Sequence, residues 1–192
     1  MELINKLFGN SGAEIALYKD KDKFFVKKSK LKSISKTIQI YSHLKSQGFY
    51  VPEIYEHNNE YIIMEYINGL DIKNFILHYG KEAIFLLEEF LIHYFKNIKL
   101  NNKFNFDNEI EKKFDSLSKD IEKDKLKFSL NSLRKKIPTI HSKELSHGDL
   151  TFDNIIFKNK KLYLIDPNPT KLSSVNFDVC KILQDIDCHW FI

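Results

Sequence analysis

Apolar residues recur at short spacing through the first part of the chain and at helical spacing further on. "EIALY" and "KFFVKK" flank the charged stretch "KDKD", which reads as a strand, a polar turn and a strand. In "LKSISKTIQIYSHLKSQG", Ile34, Ile38, Tyr41 and Leu44 fall three or four apart, so the spacing predicts a helix closed by Gly48. "VPEIYEHNNEYIIMEYING" then predicts two strands about a turn at "HNNE", with Pro52 suited to an edge strand. The first 70 or so residues thus form a small, mostly β lobe carrying one helix, with a hinge near "MEYINGL".

The pattern changes from "DIKNFI" onward. Residues 81–99 predict a helix with Ile84, Leu87, Leu91 and Phe95 along one face. Residues 107–136 are rich in Lys, Glu and Asp with apolar positions at 110, 114, 117 and 121, the pattern of a solvated amphipathic helix. "NIIFKNKKLYLID" returns to strand character around the turn "KNKK", and a last helix is expected over 177–188. No internal repeat or low-complexity linker interrupts the 192 residues.

Composition narrows the class without changing that picture. Apolar residues make up 43% of the chain, enough for a core without staples. The net charge of +4 arises from 30 basic against 26 acidic residues, a mixed surface that calls for no nucleic-acid partner. Arg134 is the single arginine, whereas phosphate-backbone readers favour the planar guanidinium fork. Cys180 and Cys188 lack metal-ligand spacing and fit reduced thiols. "MELINKLFGN" contains no secretory apolar core, and "AIFLLEEFLIHYF", split by Glu88 and Glu89, is too short to span a bilayer. A cytoplasmic protein without a membrane span is expected.

Chemistry concentrates in "HGDLTFDN", residues 147–154, and in "LID" at 164–166. A hairpin folded about Lys160 would set Asn154 opposite Asp166, about 5 Å apart. An amide oxygen and a carboxylate facing one small volume suit Mg²⁺, which takes one or two protein carboxylates and leaves its other positions to phosphate and water. Asp149, on the loop leading into the hairpin, stands where a base for an incoming hydroxyl would be needed. Each residue also has a plain alternative: Asp149 capping a turn, Asn154 bonding a loop, and Asp166–Pro167 ending a strand.

"HGDLTFDN" followed by "LID" resembles the catalytic segment of the aminoglycoside phosphotransferase and choline kinase-like families. The resemblance implies an α+β, two-lobed protein-kinase-like fold: a β-rich nucleotide-binding lobe over 1–67 and a mostly helical catalytic lobe over 68–192. It makes Asp149 the catalytic base, gives Asn154 and Asp166 to Mg²⁺, and has His147 buttress the loop. "YIIMEYINGLDI" is similar to the kinase hinge, where backbone groups of Glu65 and Ile67 would meet adenine of ATP and Met64 would back the pocket. "FGNSGAE" resembles a shortened phosphate loop, with Ser11 and Gly12 near phosphate. "FFVKK" should supply the phosphate-binding lysine. Val26 shares a strand face with Lys28, which favours Lys28; an inward Phe25 would instead select Lys27. Asp178, opening "DVCKIL", would brace the catalytic loop or serve as a carboxylate at a helix N-terminus.

Three departures bear on function. No Asp or Glu occurs between Lys23 and Pro52, so the helix has no carboxylate for the strand lysine, and Gln39 is the nearest polar substitute. "DPNP" follows where protein kinases place Asp-Phe-Gly, and proline there stiffens the segment. Only residues 167–192 follow Asp166, so the second lobe reads as minimal, truncated, or completed by a second subunit in a homo-oligomer. Gly148 and Thr151 replace the Arg and Lys of protein-kinase loops. The expected activity is therefore ATP- and Mg²⁺-dependent transfer of the γ-phosphoryl group to a hydroxyl of a small molecule. A sugar is favoured over an amino alcohol, since short relatives resemble enzymes of bacterial surface-polysaccharide synthesis. The rival expectation is a pseudokinase that binds nucleotide or a partner without turnover.

Overall fold

A computed structural model describes residues 2–8, 13–31, 33–98, 145–169 and 175–188, all within one compact unit formed by the chain to Lys99 and from Leu145. Ser11, Gly12 and the helix expected over 107–136 lie outside the described residues.

Five strands, β1 (Glu2–Phe8), β2 (Glu14–Asp20), β3 (Lys23–Ser29), β4 (Ile54–His57) and β5 (Tyr61–Glu65), form an antiparallel sheet in the order β1-β2-β3-β5-β4. β4 lies at the edge, which tolerates the missing N–H of Pro52 just before it. Helix α1 (Ile34–Ser46) follows β3. It ends in a Schellman arrangement: Phe49 N–H donates to the Leu44 carbonyl and Gly48 N–H to that of Lys45, both at 3.1 Å.

A second, three-stranded sheet contains β6 (Leu70–Asp71), β7 (Ile155–Lys158) and β8 (Lys161–Leu164), in that order. Gly69 is needed at its margin, because a Cβ there would lie 2.3 Å from the Phe157 carbonyl oxygen. Around this sheet lie α2 (Ile72–Tyr79), α3 (Lys81–Asn97) and α4 (Val175–Cys188). Asp71 caps α2 by accepting from the Asn74 N–H at 2.7 Å.

Two apolar clusters follow from this layout. Val26, Ile34, Tyr41, Ile62 and Met64 fill the space between the larger sheet and α1. Ile40 and Leu44, on another face of α1, join the second cluster with Phe75, Leu87, Tyr94, Leu150, Ile155 and Leu164. Phe75 stacks on Phe157 there, with ring centroids 3.9 Å apart. A fully buried residue such as Ile62 or Leu164 contributes about 2 kcal/mol relative to exposure. The architecture is the expected α+β one, a β-rich N-terminal region followed by a helical C-terminal one.

Two local expectations need correction, and a third gains detail. The β7–β8 hairpin turns on Asn159 and Lys160 together, both with positive φ (51° and 61°), which is the two-residue turn that matches strand twist. Its register pairs Ile155 with Leu164, so Asn154 adjoins Ile165 and not Asp166. In α3 the core face is Ala83, Leu87 and Tyr94, while Ile84 is exposed. Ile84, Leu87, Leu91 and Phe95 do share one face, and with Ile92 they border an apolar groove of about 670 Å³ beside α2 and α4.

Candidate active site

β3 sits in the middle of the larger sheet, and its alternation turns Val26 and Lys28 inward together. Lys28 Nζ reaches Asp166 Oδ1 at 2.9 Å, with the lysine side chain 11% exposed and the aspartate 47%. A buried ammonium without a counter-charge is costly, and Asp166 provides one where α1 offers no carboxylate. Lys27 points the other way, its Nζ 4.0 Å from the centroid of the Tyr61 ring.

Asp166 follows β8 with φ of 54°, the left-handed region that Asp tolerates better than most residues. Two contacts hold that turn. The Asp166 N–H donates to the Tyr41 hydroxyl at 3.1 Å, and the preceding Ile165 carbonyl accepts from His147 Nε2 at 2.8 Å. Since a carbonyl only accepts, His147 carries its proton on Nε2. Tyr41 is a residue that the sequence reading took for core, and Gln39, the polar substitute expected on this helix, is exposed. Burial, then the charge of Asp166, raises the Tyr41 pKa well above the usual tyrosine range.

The loop carrying Asp149 is fixed from below. Gly148 takes φ of 76°, where a side chain would be strained. His147 is fully buried, and its N–H donates to the Tyr94 hydroxyl at 2.9 Å. Tyr94 in turn donates to Asp178 Oδ2 at 2.7 Å, and Asp178 Oδ1 accepts from the Leu150 N–H at 3.2 Å. Two turns further along α4, Asp185 Oδ2 accepts from the Phe152 N–H at 2.6 Å. Burial raises the pKa of both Asp178 and Asp185, and the hydrogen bonds they accept oppose that rise. Tyr94 is raised well above its usual value by burial and then by the charge of Asp178.

Asn154 Nδ2 donates to the Asp149 carbonyl at 2.8 Å, which leaves Oδ1, the atom able to ligate a hard cation, outside that bond. Asp149 and Asp166 line one recess with Ala13, Leu31, Pro167 and Asn168. Asp149 Oδ1 also lies 3.0 Å from Lys181 Nζ of α4. Among the described residues no three His, Cys, Asp or Glu converge as a self-sufficient metal site. One carboxylate and one amide oxygen remain a suitable donor set for Mg²⁺ that shares its shell with phosphate. At the end of β5, Met64 is buried beside Val26, while Glu65 spends its N–H on the Glu53 carbonyl at 2.8 Å and its carboxylate on Lys158 Nζ at 3.1 Å. Ile67 is buried just beyond.

No protein-family model matches the sequence, and no curated protein matches it. Solved structures do. The streptomycin–ATP ternary complex of APH(2'')-IIa aligns with a TM-score of 0.62 at 17% identity, over 93% of this chain and 70% of that one. A thermostable mutant of aminoglycoside phosphotransferase APH(4)-Ia, in ternary complex with ADP and hygromycin B, aligns with a TM-score of 0.64 at 12% identity, over 96% and 72%. ADP-bound APH(2'')-Ib gives 0.60 at 17%, over 93% and 69%. The fold is that of the aminoglycoside phosphotransferases. At these identities the likeness speaks for the two-lobed kinase-like fold alone. Within this phosphotransferase fold, the sequence reading missed Tyr41, Lys181 and Asp185. Asp178, Lys181, Ile182 and Asp185 follow one another at helical spacing on α4, and charged residues on a stripe that also carries a core isoleucine are the signal that could have found Lys181 and Asp185.

Proposed function

We propose that this chain is an ATP-dependent phosphotransferase acting on a hydroxyl of a small molecule. The observation that carries the reading is the convergence of Asp149 and Asp166 on one recess, with the Lys28 ammonium on Asp166. Residues 1–67 serve as the nucleotide lobe, where Met64 backs adenine and the backbone of Glu65 and Ile67 faces the base edge. Ser11 and Gly12 belong to the phosphate loop of this reading, and Lys28 neutralises the phosphates. Residues 68–192 form the catalytic lobe.

In the transfer step the acceptor oxygen bonds to the γ-phosphorus as the bond to the bridging oxygen breaks, and ADP leaves with that electron pair. The hydroxyl proton passes to Asp149. Asn154 Oδ1 and Asp166 would hold Mg²⁺, which supplies charge neutralisation to the phosphates when bound. The protein's own work is positioning: a clamped loop, a fixed Asp166 turn and a buried lysine. The need for ATP and the two exposed free thiols, Cys180 and Cys188, fit a cytoplasmic setting.

The acceptor we favour is a neutral sugar. The solved neighbours are named for complexes with streptomycin, gentamicin and hygromycin B, and aminoglycosides carry ammonium groups that call for clustered carboxylates. In this sequence the acidic residues over 107–124 are interleaved with lysine. A nucleotide-binding module without turnover is the second reading, favoured by the absence of a carboxylate on α1.

Calorimetric titration with a non-hydrolysable ATP analogue, with and without Mg²⁺, tests the reading. Mg²⁺-dependent binding in the wild type and its loss in Asp166→Ala are expected. Turnover should fall at least about 10²-fold in Asp149→Asn. Wild-type turnover in that variant would remove Asp149 from the role, and binding without any turnover in the wild type would select the second reading.

A further inference from the structure

The loop that carries Asp149 lacks a cation of its own: Thr151 stands two positions after the aspartate. The fold nevertheless brings an ammonium to that carboxylate from elsewhere in the chain. Lys181 lies one helical turn after Asp178 and one before Asp185, the two residues whose carboxylates accept backbone N–H groups of the same loop at Leu150 and Phe152. The stripe of α4 that anchors the loop therefore also aims Lys181 at it, and Nζ comes to 3.0 Å from Asp149 Oδ1. The lysine and aspartate side chains are 27% and 33% exposed, so the pair is not in the core, and its aspartate lines the recess.

We infer that Lys181 is a positioning residue for phosphoryl transfer, orienting Asp149 from α4 in place of a cation in the loop. With Oδ1 held by the ammonium, Oδ2 is the oxygen presented to the acceptor hydroxyl, and it takes that proton as the oxygen–phosphorus bond forms. A carboxylate without this contact samples several rotamers, so fewer encounters place an oxygen within reach of the proton. The inference rests on the phosphotransferase reading and adds to it a residue outside the loop motif.

The test uses the full chain with Mg²⁺ and ATP, water serving as the phosphoryl acceptor, and phosphate release as the readout. For Lys181→Met, kcat should fall about 10-fold or more. KM for ATP and the affinity for a non-hydrolysable analogue should stay at wild-type values, because Lys181 meets the base and not the nucleotide. Lys181→Arg should recover most of the lost rate, since a guanidinium can hold the same oxygen. The melting temperature of Lys181→Met should stay close to wild type, as expected for a partly exposed pair. An unchanged kcat in Lys181→Met, or a fall that Lys181→Arg does not recover, overturns the inference and leaves the phosphotransferase reading intact. Absence of ATP turnover from the wild type, with water and with a panel of neutral sugars as acceptor, overturns both.

Discussion

The two sides of the recess each set a lysine on an aspartate at nearly the same distance, 2.9 Å for Lys28–Asp166 and 3.0 Å for Lys181–Asp149. They are built differently. Lys28 comes from the middle of a five-stranded sheet, and Asp166 is further held by the hydroxyl of Tyr41. Lys181 comes from a helix whose buried carboxylates hold the backbone of the loop it faces. Depth decides what each pair is worth. A partly exposed pair contributes at most about 1 kcal/mol to stability, whereas a buried ammonium stripped of its partner is strongly destabilising. Breaking the sheet-side pair should therefore disturb both fold and chemistry, and breaking the helix-side pair should disturb chemistry alone.

The largest effect that would sharpen this contrast is expected from Lys28→Met, which keeps the volume and removes the charge. We expect kcat/KM for ATP to fall at least about 10²-fold, measured by steady-state phosphate release. A smaller loss than that of Lys181→Met would invert the comparison. Next comes Asp178→Ala, which leaves the Leu150 N–H and the Tyr94 hydroxyl without an acceptor in a buried site. Its cost should be about 3 kcal/mol in urea unfolding at neutral pH. A cost below about 1 kcal/mol would mean that the loop is held by its other contacts.

What the sequence disclosed follows the same division. The sheet side was legible because strand alternation is strict: placing Val26 inward places Lys28 with it. The hairpin was legible too, but not its register. Asn159 and Lys160 both adopt positive φ without a glycine between them to mark the turn, so the fold axis could be misjudged by half a residue. That slip moved Asn154 off Asp166: the Asn154 carbonyl meets the Ile165 N–H, and Asp166 lies one residue beyond, where the backbone bends. Helix α2 had its signals, Asp71 at one end and Gly80 at the other, yet no element was assigned there from sequence. In α3 apolar residues occur on more than one face, so spacing could not tell the core from the groove. Helical spacing groups Lys181 and Asp185 with Asp178 on one stripe of α4, but does not say that the stripe faces a loop some 30 residues earlier.

Tyr41 gives the smallest and most specific test of the sheet side. Its hydroxyl accepts the Asp166 N–H in the core between sheet and helix, so Tyr41→Phe should cost about 1 kcal/mol at pH 7. The cost should shrink in alkali. In the folded chain the Tyr41 pKa is raised, by burial first and by the charge of Asp166 second, whereas in the unfolded chain it stays near 10. The unfolded state therefore loses the proton first. The contribution of the protonated hydroxyl is whole below pH 10 and drains away as pH rises from there toward the folded value. By pH 11 this removes about 1.4 kcal/mol from the wild type and nothing from the phenylalanine variant. Tyr94, raised in the same way, is present in both proteins and cancels in the difference. Urea unfolding of the pair at pH 7 and pH 11 should thus show the wild-type advantage abolished or slightly reversed. A gap that stays constant would place the Tyr41 hydroxyl in water, and Asp166 would then rest on Lys28 alone.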